Sequence, residues 1–199
     1  MSKNIKVIDN FLSESYFQEI KKILEDSDFG WYFQKNTVTG IEHSDPTPFY
    51  GFRHLFVADG EMNSMFGPYI MPVVYEVCDV LGNKLVKTLN VYSNLVLKKN
   101  KSLSEEEWHK LSAHNDGLLE LEENDFERWT GLIYIDNSDG DTVFFEKNKN
   151  GNLIEIFRKT PTANTLVLFP SRILHSPGLP YKSFMRRVIN INILVKKEK

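Results

Sequence analysis

Three residues of this chain have the types and spacing of a metal-ligand set. His114 and Asp116 are separated by one residue, and in an extended chain residues i and i+2 project from the same face. Their imidazole and carboxylate can therefore contact one cation, and His175, which follows an apolar run, can supply a second imidazole. Two histidines and one carboxylate leave adjacent coordination positions open, a ligand set that suits Fe(II) in oxygen chemistry. A His-x-Asp pair alone is not specific, because most such pairs are exposed polar residues.

Two adjacent arginines, Arg186 and Arg187, begin a predicted strand that ends at Val195. Side chains alternate along a strand, so Arg187 shares its face with three isoleucines and Arg186 shares its face with two asparagines. The isoleucine face is expected to be interior, which predicts that Arg187 points inward. A buried guanidinium is costly unless an anion meets it, so the carboxylate of a ligand is the expected partner. A salt bridge to a core acidic residue and a frayed strand register are the alternatives.

The elements that must position these residues divide the chain into a mainly helical first half and a second half of strands. Apolar spacing predicts helices over about 13–24 and 64–81, with Gly82 at the end of the second. A short helix is predicted near 105–110, within a charged stretch. The predicted strands are 5–9, 89–97, 131–135, 142–146, 153–157, 165–169 and 187–195. Connections between the later strands are too short for crossover helices, so mostly antiparallel sheets are expected, in a sandwich or jelly roll with helices on one face.

Together these motifs resemble a known family, the 2-oxoglutarate/Fe(II)-dependent dioxygenases, and within it the prolyl-4-hydroxylase-like branch. The matching pieces are His114-Asn115-Asp116, the segments 131–137, 140–145 and 168–170 leading to His175, and Arg187 at the start of the last long strand. They extend over about residues 88–195, and segment 8–13 also resembles the start of family members. No motif is specific alone, whereas their joint order and spacing are.

The resemblance implies an α+β, mostly β fold: a double-stranded β-helix (jelly roll) with N-terminal helices packed on one sheet. It implies a single domain over 1–199, with a helical support region over about 1–87 and the jelly-roll core over about 88–195. The implied activity is hydroxylation of a peptidyl proline or another unidentified substrate with Fe(II), 2-oxoglutarate and O2, releasing succinate and CO2, with ascorbate as a candidate stimulant. The substrate is expected to be a protein, a peptide or a small molecule. A jelly-roll metal-binding protein and a cupin-like metal-enzyme, both without oxygenase activity, are the alternative functions.

The resemblance also assigns roles to individual residues. The implied iron ligands, and hence the catalytic residues, are His114, Asp116 and His175. Arg187 is implied to hold the distal carboxylate of 2-oxoglutarate, Tyr134 to hydrogen-bond the same carboxylate, and Tyr92 to line the pocket. Two spacings depart from the family pattern. The charged stretch after Tyr92 is longer than usual, and the gap before Arg187 is slightly long, which leaves Arg186 as an alternative anchor.

Composition narrows the range of partners. The 199 residues include 24 basic and 27 acidic side chains, for a net charge of -3, so a nucleic-acid partner is disfavoured. No stretch reaches the roughly 20 apolar residues of a membrane span, and the N-terminus lacks the apolar segment of a signal peptide, so a cytoplasmic protein with no membrane partner is expected. Cys78, the single cysteine, is expected to be a buried structural thiol, which excludes an internal disulfide framework and a thiolate zinc site. The oligomeric state is left open.

The other three histidines, His43, His54 and His109, have no ligand-like sequence context. His109 lies in a charged stretch and is expected to face solvent. His43 lies in a polar loop that follows the aromatic segment 31–33.

Overall fold

Three helices and eleven strands are formed by the residues that the computed structural model describes, which are 4–37, 50–99, 104–117 and 125–197. His43 lies outside these described residues. In chain order the elements are β1 (Lys6–Ile8), α1 (Glu14–Glu25), β2 (Tyr32–Gln34), β3 (Gly51–Ala58), β4 (Glu61–Met62), α2 (Gly67–Leu81), β5 (Leu85–Leu97), α3 (Glu105–Ser112), β6 (Phe126–Tyr134), β7 (Thr142–Lys147), β8 (Leu153–Lys159), β9 (Thr165–Pro170), β10 (Leu174–Pro177) and β11 (Met185–Lys196).

The strands form one large and one small sheet. The large sheet has the order β1-β9-β6-β11-β5-β3-β2, with β4 paired to β3, and the small sheet has the order β10-β7-β8. All of these pairings are antiparallel. The longest joins β11 to β5, from Met185 opposite Leu97 to Val195 opposite Leu85. The fold is therefore mostly β with antiparallel sheets, as the short connections predict.

The described part of the first 87 residues is less helical than the sequence suggests. Four strands, β1 to β4, lie in this region and join the large sheet, and only β1 is predicted from the sequence. The strand with the greatest consequence is β3, which pairs with β5. Its segment Gly51–Ala58 contains Arg53 and His54, whose polar side chains obscure the apolar alternation of a strand. This region therefore extends the sheet as well as supporting it with helices.

Alternate side chains of the large sheet face two different apolar layers. One layer lies between this sheet and helices α1 and α2, and its buried members include Ile20, Val74, Ile133 and Ile191. The other lies between the two sheets, and its buried members include Leu132, Phe144, Val167 and Val188. Because the side-chain period of a strand is two, consecutive residues of β6 and β11 belong to different layers. Each large apolar side chain gains about 1.5–3 kcal/mol on burial, so a one-residue slip of β11 would be strongly disfavoured.

Helix α2 supplies much of the layer that covers the large sheet. It begins at Gly67, somewhat later than predicted, with Pro68 in the first turn, where a missing N–H is tolerated. It ends as expected at Gly82, whose φ of 74° is in the left-handed region that favours glycine. Cys78 is buried on this helix, as expected, and burial raises the pKa of its thiol to about 11. No described helix is long and apolar enough to cross a lipid bilayer.

Helix α3 lies where a short helix was expected in the charged stretch. Ser104 caps its N-terminus: the Ser104 hydroxyl accepts a hydrogen bond from the Glu107 backbone N–H, and the Glu107 carboxylate accepts one from the Ser104 backbone N–H. This reciprocal pair satisfies backbone donors that an isolated helix end leaves unpaired. The cap stabilises the N-terminus of this short helix, which packs beside β10.

Candidate metal centre and its two pockets

The structure brings together the three residues that the sequence suggests as metal ligands. One ligand atom from each of His114, Asp116 and His175 lies within 4.8 Å of the others. The Nε2 atom of His114 is 3.8 Å from Asp116 Oδ1, and the Nε2 atom of His175 is 3.7 Å from Asp116 Oδ2. These separations leave room for one cation that all three side chains contact, and no other such group occurs among the described residues.

Backbone hydrogen bonds fix the two strand segments that carry the ligands. The N–H of His114 donates to the carbonyl of His175 at 2.9 Å, and the N–H of His175 donates back at 2.8 Å. The N–H of Asp116 donates to the carbonyl of Ser171 at 3.1 Å. The His-x-Asp segment is therefore attached to β10 and the turn before it, although it belongs to no regular sheet.

Each histidine is oriented by a hydrogen bond from its second ring nitrogen. Nδ1 of His114 lies 2.8 Å from the carbonyl of Ser112, and Nδ1 of His175 lies 3.2 Å from the carbonyl of Ile173. A carbonyl only accepts, so Nδ1 carries the proton in each ring and Nε2 presents its lone pair to a metal. Burial, with the nearby His114 as a second cause, lowers the pKa of His175 and favours the neutral, metal-binding form.

The carboxylate of Asp116 is also held from behind. The Thr130 hydroxyl lies 3.2 Å from Asp116 Oδ2, 2.8 Å from the Ser171 hydroxyl and 3.0 Å from the Asn192 side-chain oxygen. Thr130 is fully buried on β6. It links the candidate ligand to β6 and β11. This role is not predictable from the sequence, because a lone threonine in a strand is common.

Helix α3 clamps β10 at the two residues that directly follow the candidate ligand His175. The indole N–H of Trp108 donates to the carbonyl of Pro177 at 2.6 Å. The hydroxyl of Ser176 lies 2.7 Å from Nδ1 of His109 and 2.5 Å from the hydroxyl of Ser112. Because side chains alternate along β10, Ser176 faces α3 while His175 faces the candidate metal site. The clamp therefore fixes the direction in which the candidate ligand His175 points.

The expectation that His109 faces solvent is wrong. Its side chain is buried, with the ring near Phe145, Nδ1 on Ser176, and Nε2 3.7 Å from the Glu105 carboxylate. The charged residues around it in sequence occupy the outer face of α3, whereas His109 lies on the face that packs against β10. Burial, and secondarily the charge of Arg158, lowers the pKa of His109.

We expect His109→Leu to lower the affinity of the site for divalent metal by up to about tenfold. Residues that hydrogen-bond a metal ligand contribute on the order of 10–100-fold to metal affinity. The effect of His109 should be smaller, because it contacts Ser176, the residue after His175, and no candidate ligand directly. The measurement is a calorimetric titration with Co(II), and Lys110→Ala is the control because Lys110 lies on the exposed side of the same helix. An unchanged Co(II) affinity would contradict a positioning role for His109.

A narrow inner pocket lies behind the three candidate ligands and ends at Arg186. Its lining residues are Thr37, Tyr92, Asn94, His114, Asp116, Leu132, Thr142, His175, Pro177, Arg186, Val188 and Asn190. Arg186 is 4% exposed, and it donates from Nε to the Gly140 carbonyl and from Nη2 to the Thr142 hydroxyl, both at 2.9 Å. No carboxylate among the described residues contacts it. A buried cation with only neutral partners at the end of a pocket can bind an anion.

Gly140 makes this position of Arg186 possible. A Cβ atom at residue 140 would lie 2.9 Å from the Gly178 carbonyl oxygen and 3.0 Å from Arg186 Cδ. Both contacts are too short, so a larger residue would displace the backbone that accepts from the guanidinium.

Tyr134 is buried beside the Arg186 guanidinium, with its hydroxyl 2.8 Å from the Thr142 hydroxyl and its ring centroid 5.7 Å from Arg186 Cζ. Burial raises the pKa of Tyr134, which keeps the phenol protonated.

The predicted inward orientation of Arg187 toward a ligand pocket is wrong. Arg187 is buried in the layer between the large sheet and the helices, where it donates to both oxygens of Asp136 at 2.9 and 2.7 Å and to Glu25 at 2.8 Å. Arg187 does share its face with the isoleucines of β11, as strand parity predicts. That face is covered by the helices and does not line the inner pocket. The pocket lies on the opposite face, with Arg186 and Asn190, and the counter-ions of Arg187 come from distant segments.

A larger outer cleft opens on the other side of the candidate ligands. It has a volume of about 940 Å³, within the range of sites that bury a whole ligand. Its lining residues are Tyr32, Gln34, Arg53, Leu55, Asn90, Tyr92, Ala113, His114, Asn115, Asp116, Gly117, Leu174 and Asn192. Tyr92, expected to line the pocket, lies between the two cavities, and burial raises its pKa. The sequence does not indicate that Arg53 lines a cleft, because its segment, β3, is not predicted to be a strand.

His54 lies outside both cavities. It projects from β3 into the helix-covered layer, where its ring stacks on Phe29 with a centroid distance of 4.1 Å. Its two nitrogens lie 2.6 Å from the Gly30 carbonyl and 2.7 Å from the Ser64 hydroxyl. Both ring nitrogens are thus occupied by protein groups, in agreement with the absence of a ligand-like context.

No protein-family model matches this chain, and no curated protein matches it by sequence. Solved structures do match. A 2OG-Fe(II) oxygenase family oxidoreductase from Burkholderia pseudomallei superposes with a TM-score of 0.65 at 11% identity, covering 98% of this chain and 86% of that one. A prolyl-4-hydroxylase from Pseudomonas putida gives 0.57 at 12% identity, covering 99% and 95%. A prolyl hydroxylase from Trichoplax adhaerens, in complex with a hypoxia inducible factor peptide fragment, gives 0.59 at 16% identity, covering 98% and 84%. The chain therefore shares the fold of these oxygenases over nearly its whole length.

Proposed function

We propose that this chain is an Fe(II)- and 2-oxoglutarate-dependent dioxygenase. It forms a single domain in which residues 88–195 make up most of a double-stranded β-helix, or jelly roll. The observation that carries the proposal is the order of groups along one cavity. The cluster of His114, Asp116 and His175 opens inward onto a pocket that ends at the buried guanidinium of Arg186. That order matches a cosubstrate with a metal-chelating end and a distal carboxylate.

The side chains fit the metal that this reaction needs. Two neutral imidazoles and one carboxylate hold Fe(II) through three ligands and leave the remaining positions open for small molecules. Bound there, Fe(II) supplies the activation of O2 that couples oxidation of 2-oxoglutarate to succinate and CO2 with hydroxylation of the substrate. The contribution of His114, Asp116 and His175 is to fix this geometry in a partly buried site.

The inner pocket is proposed to bind 2-oxoglutarate, with Arg186 on its distal carboxylate. The hydroxyl of Thr142 lies beside the guanidinium and can donate to the same carboxylate, while Tyr134 holds Thr142 in place. Arg186 instead of Arg187 is therefore proposed as the anchor, with Tyr134 as a positioning residue. The pocket has a volume of about 40 Å³, little more than one water molecule occupies, so the dicarboxylate enters only if lining side chains move.

The outer cleft is proposed to bind the substrate, because it meets the metal site on the side away from Arg186. The named prolyl hydroxylases among the structural relatives support a peptidyl proline as one candidate, and another protein, peptide or small-molecule substrate is the alternative. A metal-binding protein without oxygenase activity is the competing function. It gives no reason for an anion site beside the metal ligands.

The proposed activity predicts a strict dependence on iron. Protein stripped with a chelator and reloaded anaerobically with Fe(II) should release succinate from 2-oxoglutarate in air with ascorbate, even without a substrate. Zn(II) and Ni(II) compete well for nitrogen and oxygen ligands, so protein loaded with either should be inactive and should recover after exchange. Metal analysis and succinate assays before and after exchange test this. Full turnover by the zinc form, with no gain from iron, would contradict an oxygenase and favour a cupin-like metal-enzyme.

A further inference from the structure

The outer cleft contains one arginine in a setting unlike that of a surface cation. Arg53 lies on β3, half-buried, with its Cζ 4.3 Å from the centroid of the Tyr92 ring. Its Nε donates to the Asn94 side-chain oxygen at 3.0 Å, and its Nη2 donates to the Thr37 carbonyl at 3.3 Å. These bonds use two of the five N–H donors of a guanidinium. Arg53 is therefore held in place by neutral groups, beside a cavity into which its remaining donors can reach.

The charge of Arg53 has no carboxylate partner among the described residues. Three other arginines have one or more: Arg158 pairs with Glu155 and two further carboxylates, Arg172 pairs with Glu127, and Arg187 pairs with Asp136 and Glu25. Three arginines, Arg53, Arg128 and Arg186, have no carboxylate partner among the residues that the structure describes. Of these, Arg128 lines neither cavity, while Arg186 ends the inner pocket and Arg53 lines the outer cleft. Both arginines that line these two cavities therefore lack a direct ion pair with any described carboxylate.

Apart from Arg53 and the metal cluster, the described lining of the outer cleft is uncharged and mixes apolar side chains with carboxamides. Four carboxamides line it, from Gln34, Asn90, Asn115 and Asn192. Asp116, which belongs to the candidate metal cluster, supplies the single carboxylate among the described lining residues. Carboxamides can donate to and accept from an amide or hydroxyl group of a ligand, but they do not neutralise a cation. A ligand that complements this cleft therefore combines polar groups with one negative charge.

We propose that Arg53 binds a carboxylate of the substrate, so that the cleft selects substrates carrying an acidic group close to the carbon that is hydroxylated. That the bound molecule is a substrate rests on the proposed function, whereas the anion site itself rests on the geometry of the cleft. The carboxylate belongs either to an acidic side chain of a peptide or to a small organic acid. Both present the same group to the guanidinium, which can bind it through two parallel hydrogen bonds.

The test compares matched probes that differ by one charge. Acetyl-Asp-Pro-Gly-amide and acetyl-Asn-Pro-Gly-amide are titrated by ligand-observed NMR into Zn(II)-loaded protein saturated with 2-oxoglutarate, which keeps the probes out of the inner pocket. Wild-type protein should bind the aspartyl probe about tenfold more tightly, because a charge-assisted hydrogen bond is roughly twice as strong as a neutral one. Arg53→Gln should remove this preference. Arg172→Gln is the control, since it makes the same charge change at a surface arginine outside the cleft.

A second pair, acetyl-Asp-amide and acetyl-Asn-amide, separates the two sources of the carboxylate. Tighter binding of the aspartyl tripeptide than of acetyl-Asp-amide points to a peptide substrate, and equal binding points to a small acid. The proposal is overturned if wild-type protein shows no preference for the aspartyl probes, including no measurable binding of them, or if Arg53→Gln retains the preference. A direct titration of 2-oxoglutarate tests the proposed function separately. Absence of 2-oxoglutarate binding would contradict that function, and the comparison of wild type with Arg53→Gln would still test the anion site.

Discussion

Replacing His175 with alanine is expected to reduce the affinity of the site for Fe(II) or Co(II) by more than about 100-fold and to abolish succinate formation. Loss of a group that merely supports a ligand costs on the order of 10–100-fold in metal affinity, and loss of a ligand itself should cost more. Asp116→Ala should have a similar effect, because its two oxygens face both histidines at 3.7 and 3.8 Å. Calorimetric titration with Co(II) and a succinate assay measure the two consequences.

The matched control for the loss of an imidazole is His54→Gln. His54 is also buried, but it lies in the helix-covered layer and bonds to Gly30 and Ser64, so its replacement should leave metal affinity unchanged. Circular dichroism should show that the His175 variant retains the β-rich fold, because the two apolar layers remain intact. Near-normal iron binding and activity in His175→Ala would mean that the metal centre lies elsewhere.

Features that depend on neighbouring residues in sequence were predicted well. The short helix α3, the end of α2 at Gly82 and the strands between turn sequences all follow from local patterns, such as a capping box or a residue with positive φ. The closeness of His114 to Asp116 is likewise a consequence of i, i+2 spacing in an extended segment. Their approach to His175 could not be derived from spacing. It came from the resemblance to a family, and the structure provides it through reciprocal backbone hydrogen bonds.

Features that depend on which layer a strand face meets were not predictable from one strand. Parity along β11 correctly separated Arg186 from Arg187, but it contains no information about whether helices or the second sheet cover a given face. The ligand side carries asparagines because it is a polar pocket, whereas the isoleucine side is the drier layer. The same limit applies to β3, where Arg53 faces the cleft and His54 faces the helices. A polar residue in a strand can mark the functional face, which a purely hydrophobic criterion assigns to solvent.

The two adjacent arginines should therefore give opposite phenotypes. Arg186→Gln is expected to raise the dissociation constant of 2-oxoglutarate by about 30-fold or more, because truncating one partner of a buried charged pair costs roughly 2–5 kcal/mol. The variant should remain folded, since the partners that it loses, the Gly140 carbonyl and the Thr142 hydroxyl, are neutral and a glutamine amide can still donate to one of them. Titration of 2-oxoglutarate into the anaerobic Mn(II) form measures this change.

Arg187→Gln is expected to leave 2-oxoglutarate binding within about twofold of wild type and to destabilise the fold by about 3 kcal/mol, the order expected when a buried ion pair loses one partner. The lost guanidinium leaves Asp136 and Glu25 facing each other's charge, although Asp136 still accepts from the residue 187 backbone N–H. Urea unfolding measures the loss, and Arg172→Gln, at an exposed pair with Glu127, should cost less than about 1 kcal/mol. The opposite result would be that Arg187→Gln weakens 2-oxoglutarate binding as much as Arg186→Gln does. That result would contradict the assignment of the anchor to the face of β11 that lines the inner pocket.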